Sequence, residues 1–162
     1  MIMKRVSVLI TICFILNLCV TAQIQRKFFN FTLGTTNKTQ VFNYFKSKGK
    51  KLKPNEEDTY YTNNLSFGGH VWPYVAFTFY KNKLSVVYFS DSDGLTERNI
   101  LDIVFSNLDK KLSEKYYRYK DYDNSTDEKT VYRDYKTEMS INYEYFNGSK
   151  ILSLMYHDLK LQ

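Results

Sequence analysis

The sequence predicts an α+β domain in which two helices pack on an antiparallel β-meander sheet, in the order α-β(3)-α-β(3-4). Two segments carry apolar residues at three- and four-residue spacing, which indicates amphipathic helices. The segments that follow them alternate apolar and polar residues and are joined by short turns, which indicates antiparallel strands. Two helices on one face would bury the apolar side of each strand. The repeated order of helix and meander suggests an internal duplication.

The first helix is predicted to follow a short strand at residues 28–33. Asn37 can cap its first turn, and Gln40, three residues later, can complete a capping box. Val41 and Phe45 then fall on one helical face. Gly49 suits the left-handed position that ends a helix, so we expect the helix to lie between Asn37 and Gly49.

A hairpin and a second helix occupy the middle of the chain. From Tyr60 the period changes to two, and Val75, Phe77 and Phe79 alternate with their neighbours up to a polar turn at residues 81–83. Thr96 is predicted to cap the second helix, in which apolar residues recur at helical spacing up to about residue 116.

Aromatic-rich strands are predicted for the last third of the chain, at residues 116–122, 130–136, 138–146 and 150–159. Asn147 and Gly148 join the last two of these strands. This dipeptide suits a type I′ turn, because both of its central positions need positive φ. The last two strands should therefore form a hairpin.

Residues 1–22 have the features of a secretory signal peptide: a basic start, an apolar run, and small residues before the expected cleavage site. We expect cleavage before Gln23, which leaves residues 23–162 as a single domain in the periplasm or outside the cell. The apolar run is shorter than the ~20 residues that a spanning helix needs, so no transmembrane segment is expected after removal of the signal. Retention of the segment as an anchor is the alternative.

The residue types left after this cleavage restrict the available chemistry. Both cysteines, Cys13 and Cys19, lie in the predicted signal, so the mature chain would have no disulfide, no catalytic thiol and no Cys-ligated metal. Only His70 and His157 could serve a Ser-His-acid set, and no nucleophile elbow, zinc or phosphate-loop motif occurs. We predict no catalytic, cofactor-binding or metal-binding residue.

Two acidic segments, at residues 91–94 and 121–128, place several oxygen ligands close together. Calcium binding would need such ligands, but neither segment has the spacing of an EF-hand loop. Asp, Asn and Ser are also the residues that turns select, because their side chains bond to nearby backbone groups. We interpret both segments as turns.

Tyrosine is the compositional outlier, with 15 residues, and aromatic residues make up 17% of the chain. Tyrosines interleaved with cations are typical of contact surfaces, although tyrosine also favours strands and pairs across them. The paired glycines and the single Trp in residues 67–73 form a second unusual stretch, which is either a ligand-binding loop or a bulged strand entry. The candidate contact surface comprises Tyr117, Arg118, Tyr119, Lys120 and Tyr143, with His70 and Trp72 from the second stretch.

A basic run of five lysines lies at the end of the first helix: Lys46, Lys48, Lys50, Lys51 and Lys53. With a formal net charge of +6, the chain could contact an anionic surface weakly through this run. Cations also stabilise helix C-termini, which is the alternative explanation. Nucleic acid is not an expected partner, since no recognition motif appears.

Residues 33–41, together with Phe45, Lys48 and Gly49, carry a resemblance to known proteins. A Gly and a small polar cap precede an amphipathic helix, and a meander follows. This opening resembles small exported bacterial domains of the β-lactamase-inhibitor-protein-like and outer-membrane-assembly-lipoprotein-like group. The resemblance implies a non-enzymatic module that binds another protein, and it assigns no functional residue.

Three classes of function remain open from the sequence. The export signal, the order of elements and the tyrosine strands favour a non-enzymatic protein-binding or inhibitor-like module of the bacterial envelope. A structural or surface protein without a small ligand is the first alternative. A glycan-binding protein or an enzyme is the second.

Overall fold

The computed structural model describes residues 22–123 and 128–161, and the predicted signal peptide lies outside the described residues except for Ala22. Strands account for 48% of the structure and helices for 21%. In chain order the elements are β1 (Lys27–Phe28), β2 (Phe31–Thr32), α1 (Lys38–Ser47), β3 (Lys53–Glu56), β4 (Thr59–Thr62), β5 (Leu65–Phe67), β6 (His70–Trp72), β7 (Tyr74–Tyr80), β8 (Lys83–Ser92), α2 (Arg98–Lys115), β9 (Arg118–Asp123), β10 (Glu128–Arg133), β11 (Thr137–Phe146) and β12 (Ser149–Asp158).

The predicted fold class, α+β in the order α-β(3)-α-β(3-4), is wrong. The structure is mainly β, with a hairpin before α1, six strands between the two helices and four strands after α2. The extra strands lacked a recognisable pattern in the sequence. Strand β3 is exposed at all four residues and contains Pro54, so it shows no apolar alternation. Strands β1, β2, β5 and β6 have only two or three residues each.

Eight of the strands form one antiparallel sheet in the order β3-β4-β7-β8-β12-β11-β10-β9. Four of them come from the chain before α2 and four from the chain after it. Each set is a meander whose last strand lies at the centre of the sheet, where β8 pairs with β12. The remaining strands pair as the small hairpins β1-β2 and β5-β6.

Both helices and both small hairpins pack on the same face of the large sheet. Helix α1 contacts β7 through Phe45 and Phe77, whose ring centroids lie 5.3 Å apart. Helix α2 contacts β11 through Phe105, whose ring centroid lies 5.2 Å from that of Tyr143. The hairpins add contacts from Phe28 to Tyr156 and from Phe67 to Phe89, each with a centroid distance of 4.6 Å. We call this side of the sheet the covered face, and it holds the aromatic core.

The ends of α1 follow the predicted capping chemistry. The Asn37 side chain accepts a hydrogen bond from the Gln40 N–H at 2.9 Å, and the Asn37 N–H donates to the Gln40 side chain at 2.8 Å, which confirms the capping box. At the other end Gly49 has φ +68°, and its N–H donates to the Lys46 carbonyl while the Lys50 N–H donates to the Phe45 carbonyl. These two bonds form a Schellman motif, so the last carbonyls of α1 have backbone partners.

The start of α2 differs from the prediction. The N-cap residue is Glu97, which makes no side-chain capping bond. The Thr96 hydroxyl, expected to cap this helix, donates instead to the Asp91 carboxylate at 2.8 Å. Helix α2 is held mainly by its buried residues Leu101, Phe105, Leu108 and Leu112. Neither described helix has an apolar stretch long enough to cross a membrane.

One turn and one ion pair complete the framework. Asn147 and Gly148 have φ values of +50° and +81°, as the predicted type I′ turn requires. Arg26 forms an ion pair with Asp158, whose side chain is only 1% exposed. The Arg26 guanidinium also donates to the carbonyl of Leu33 at 2.7 Å and to the hydroxyl of Thr137 at 2.7 Å. This pair therefore ties the segment before α1 to the end of β12.

Candidate functional site

The second face of the large sheet, which we call the open face, takes part in none of the helix and hairpin ring contacts described above. The strand register determines which side chains lie on it, because successive residues of a strand point to opposite faces. Two adjacent rows across the strands form its centre. One row is Tyr61, Ala76, Tyr88, Met155 and Ser140, and the other is Tyr74, Ser90, Ser153 and Asn142.

Three tyrosines, Tyr61, Tyr74 and Tyr88, form a cluster on the open face that we call the tyrosine cluster. The rings of Tyr61 and Tyr74 stack with centroids 5.1 Å apart, and Tyr88 meets Tyr74 edge-on at 6.3 Å. Ala76 lies opposite both Tyr61 and Tyr88 in the register and is only 5% exposed. The cluster therefore covers a small residue while its own members stay half-buried.

The surroundings of Tyr74 in the tyrosine cluster favour its neutral phenol. Partial burial raises the pKa of the Tyr74 hydroxyl, and the neighbouring hydroxyls of Tyr88 and Tyr61 add to this effect. The Lys53 ammonium lies 5.8 Å from the Tyr61 ring centroid, within range of a cation–π contact. Tyr74 thus offers an apolar ring face and a protonated hydroxyl at neutral pH.

Small polar residues continue the open face beyond the tyrosine cluster. Ser140 and Ser153 are 4% and 5% exposed, because larger neighbours stand beside them. Among the residues that the structure describes, their hydroxyls have no hydrogen-bond partner, and neither does the amide of Asn142. Among the described residues, Tyr143 alone has a side-chain oxygen that is both fully buried and without a hydrogen-bond partner. The unpartnered hydroxyls of Ser140 and Ser153 are therefore not fully buried. The open face therefore combines aromatic rings with free donors and acceptors.

The predicted contact residues of strand β9 lie at the far edge of the same sheet. Tyr119 is 55% exposed, and the Arg133 guanidinium stacks over its ring at 5.2 Å. Arg133 belongs to the open face, because it pairs with Glu138, which pairs with His157. Tyr117, just before the strand, is 76% exposed. Two of the predicted tyrosines are therefore accessible.

The other predicted contact residues differ in their surroundings. Arg118 forms an ion pair with Asp109 of α2 at 2.7 Å, and the side chain of Lys120 lies outside the described residues. Tyr143 is 5% exposed on the covered face, and Trp72 is fully buried with its indole N–H donating to the Phe67 carbonyl at 3.0 Å. Tyr143 and Trp72 are core residues, so they offer no contact surface in this structure.

His70, the last predicted contact residue, binds a buried carboxylate. Its Nε2 lies 2.8 Å from Oδ2 of Asp91, and the same oxygen accepts the Thr96 hydroxyl at 2.8 Å. The Ser92 N–H donates to the other oxygen of Asp91 at 2.7 Å. A Ser-His-acid triad requires the histidine between nucleophile and acid, whereas here the acid lies between His70 and Thr96. The arrangement joins hairpin β5-β6 to the start of α2.

The acidic segments hold no assembled metal site in the described part of the chain. No group of three or more His, Cys, Asp or Glu side chains converges within residues 22–123 and 128–161. Asp93 pairs with Arg98 at 2.6 Å, and this bond lowers the pKa of the Asp93 carboxyl. Most of the second acidic segment, residues 121–128, lies outside the residues whose side chains are described.

The basic run divides into two groups. Lys46, Lys50 and Lys51 line a cavity of about 530 Å³ beside the C-terminal half of α1, together with Phe42 and Leu52 among others. Lys48 and Lys53 do not line this cavity. The structure therefore brings three of the five lysines together around one depression.

Sequence reasoning missed the tyrosine cluster as a candidate site. A signal was present, because Tyr74 alternates with the core residues Val75 and Phe77 and so had to lie on the opposite face. No family model, curated protein or solved structure matches the chain. The resemblance to β-lactamase-inhibitor-protein-like and outer-membrane-assembly-lipoprotein-like domains stays a prediction.

Proposed function

We propose that this chain is an exported, non-enzymatic module that binds another protein through the open face of its sheet. The observation that carries the proposal is the tyrosine cluster beside Ser140, Ser153 and Asn142 on a face to which neither helix is bound. Tyr, Ser and Asn are the residues that antibody paratopes use, because tyrosine gives large contact area at low entropic cost and the small polar residues adapt their hydrogen bonds.

A purely structural sheet face would have a different composition. One face of an antiparallel sheet often faces water, and it then carries polar residues in alternation. Here the central strands place Val86, Tyr88, Ile151 and Met155 on that face, each of them half-buried. A face on which half-buried apolar and aromatic side chains lie beside small polar ones is typical of a protein contact surface.

The features of residues 1–22 support export, and they suit a protein that meets its partner in the periplasm or outside the cell. The resemblance of residues 33–41 to exported inhibitor-like and assembly domains agrees with a binding role. An inhibitor-like function is the finer form of the proposal, in which the partner is an enzyme whose active site the open face would cover.

Site-specific photo-crosslinking tests the proposed face in cells of the source organism. A photoreactive phenylalanine derivative replaces Tyr88 of the tyrosine cluster in one strain and Tyr135 in a second strain. Tyr135 is 59% exposed in the turn between β10 and β11, outside the two central rows of the open face, which makes it a control of the same residue type. We expect a discrete protein adduct from position 88 and none from position 135.

Alanine variants then test the energetic role of the same residues with the crosslinked partner. Tyr74→Ala/Tyr88→Ala should weaken binding at least tenfold, because central interface tyrosines typically contribute about 1 to 3 kcal/mol each. Tyr135→Ala should leave the affinity unchanged. Wild-type affinity of the folded double variant, or equal crosslinking from both positions, would contradict the proposal.

A further inference from the structure

The cavity beside α1 has the size and lining of a small-ligand site. Its volume of about 530 Å³ lies within the ~300–1,000 Å³ typical of ligand pockets. Phe42 and Leu52 form an apolar floor, with Leu52 only 5% exposed and Phe42 half-buried. The Phe42 ring is held edge-on against Tyr60 at a centroid distance of 4.9 Å. The floor is therefore preformed.

The positive charge around this cavity is not compensated by the protein. Lys46 and Lys51 are exposed, and the Lys50 ammonium donates to the carbonyls of Asn63 at 3.1 Å and Asn64 at 3.4 Å. Within the part of the chain that the structure describes, none of the three lysines forms an ion pair with a carboxylate. Three like charges around one depression repel each other, so an anion bound between them would lower the electrostatic energy.

Stabilisation of the helix end accounts at most for Lys46, which lies in the last turn of α1, because Lys50 and Lys51 lie beyond the helix. Cations near a C-terminus are favourable because they interact with the last free carbonyls. In α1 the carbonyls of Phe45 and Lys46 already accept backbone N–H groups of the Schellman motif. Lys46 and Lys51 have no partner in the described residues, and the Lys50 ammonium is bound only by the two neutral carbonyls of Asn63 and Asn64.

A smaller cavity lies nearer the N-terminus of α1, and most of its lining residues are polar. This second cavity of about 290 Å³, lined by Lys38, Thr39, Phe42 and Asn82, shares the Phe42 ring with the first. The Lys38 ammonium at this end is paired with Asp58 at 2.8 Å. The two cavities share Phe42 as a lining residue, and we call them together the α1 groove. Among the described residues, the lysines of this groove that lack a carboxylate partner are Lys46, Lys50 and Lys51, all at its C-terminal end.

We propose that this groove binds a single-chain amphiphile with an anionic head group, such as a fatty carboxylate. Its head group lies between Lys46, Lys50 and Lys51, and its chain runs over Leu52 and Phe42 along α1. The site is independent of the open face, because α1 packs on the covered face of the sheet. The ligand needs both a charged head group and an apolar chain, since an apolar chain alone would leave the lysines unpaired.

Calorimetric titration of the protein with dodecanoate, below the concentration at which it forms micelles, tests the site. The variant Lys46→Gln/Lys51→Gln removes two rim charges and should weaken binding at least tenfold. The control Lys48→Gln/Lys111→Gln makes the same change in net charge at exposed positions that do not line the cavity, and it should alter the affinity less than threefold.

Two further ligands separate this proposal from nonspecific binding. Butanoate has the same head group with a short chain, and dodecyltrimethylammonium has the same chain with a cationic head. Both should bind at least tenfold more weakly than dodecanoate. Equal binding of either ligand, equal effects of the two double variants, or chemical-shift changes by dodecanoate spread over the whole protein rather than around Phe42 and Gly49 would overturn the proposal.

Discussion

Gly34 lies where the chain before α1 passes the buried ion pair of Arg26 and Asp158. Its φ is +79°, and its N–H donates to the Leu84 carbonyl at 2.8 Å. A Cβ atom at this position would collide with the Asp158 carboxylate and lie 2.8 Å from the Arg26 guanidinium. The position therefore requires glycine both for its backbone conformation and for the space beside it.

Comparison of Gly34 with Gly148 separates these two requirements. Gly148 has a similar φ of +81°, but an added Cβ would meet nothing within 4 Å. Gly148→Ala should therefore cost only the strain of a left-handed alanine, about 1 kcal/mol. Gly34→Ala should cost about 2 kcal/mol more, because the ion pair must also move. Urea melts of both variants give the two free energies of unfolding, and equal values would contradict the proposed clash.

The candidate site was only partly predictable at the level of residues. Tyr117 and Tyr119, two of the predicted contact residues, are exposed just before and within strand β9, whereas Tyr143 faces the core. A shift of one residue in strand register exchanges the two faces, and the register depends on distant partners. The bulge between β9 and β10, at Val131 and Tyr132, further interrupts the alternation that the sequence offered.

Helix α2 depends on a single buried stripe, since its N-cap makes no side-chain bond. Leu108→Ala should destabilise the protein by about 2 to 5 kcal/mol, as the loss of a buried leucine usually does. Ile103 lies on the same helix but is 58% exposed, so Ile103→Ala should cost less than about 0.5 kcal/mol. Denaturant melts of the two variants would contradict this packing if Leu108→Ala cost as little as Ile103→Ala.

Elements with strong local signals were predictable from the sequence, and weakly patterned ones were not. The capping box at Asn37, the β7-β8 hairpin and the type I′ turn at Asn147 are determined by neighbouring residues, and all three were predicted correctly. Residues 28–33 were predicted as one strand but form hairpin β1-β2, because Phe29 adopts a φ of +53°. Few signals in a single sequence predict a positive φ at phenylalanine.

The whole molecule should lose stability at high pH. Burial raises the pKa of the Tyr132 hydroxyl to about 12, and the Asp109 carboxylate adds to this shift. Burial also raises the pKa values of Tyr143 and Tyr156. An unfolded tyrosine has a pKa of about 10, so the stabilisation by each neutral phenol is complete below pH ~10 and is lost as the pH rises toward the folded pKa.

Urea melts at pH 8 and pH 11 measure this loss. We expect the free energy of unfolding to fall between these two values in the wild type and to fall less in Tyr132→Phe, which has no phenol to ionise. Tyr117→Phe is the matched control, because Tyr117 is 76% exposed and should not alter the pH dependence. Identical pH dependence of Tyr132→Phe and wild type would show that ionisation of Tyr132 is not coupled to folding.

The pairing of β8 with β12 has a consequence for the order in which the chain becomes structured. The hydrogen bond between Lys150 and Asp93 at this junction spans 57 residues. During synthesis the first meander can form early, but one side of β8 then has no strand beside it until β12 has been made. Bare strand edges recruit strands from other molecules, and distant pairings form slowly. Nascent chains that end between β8 and β12 should therefore be the most prone to self-association.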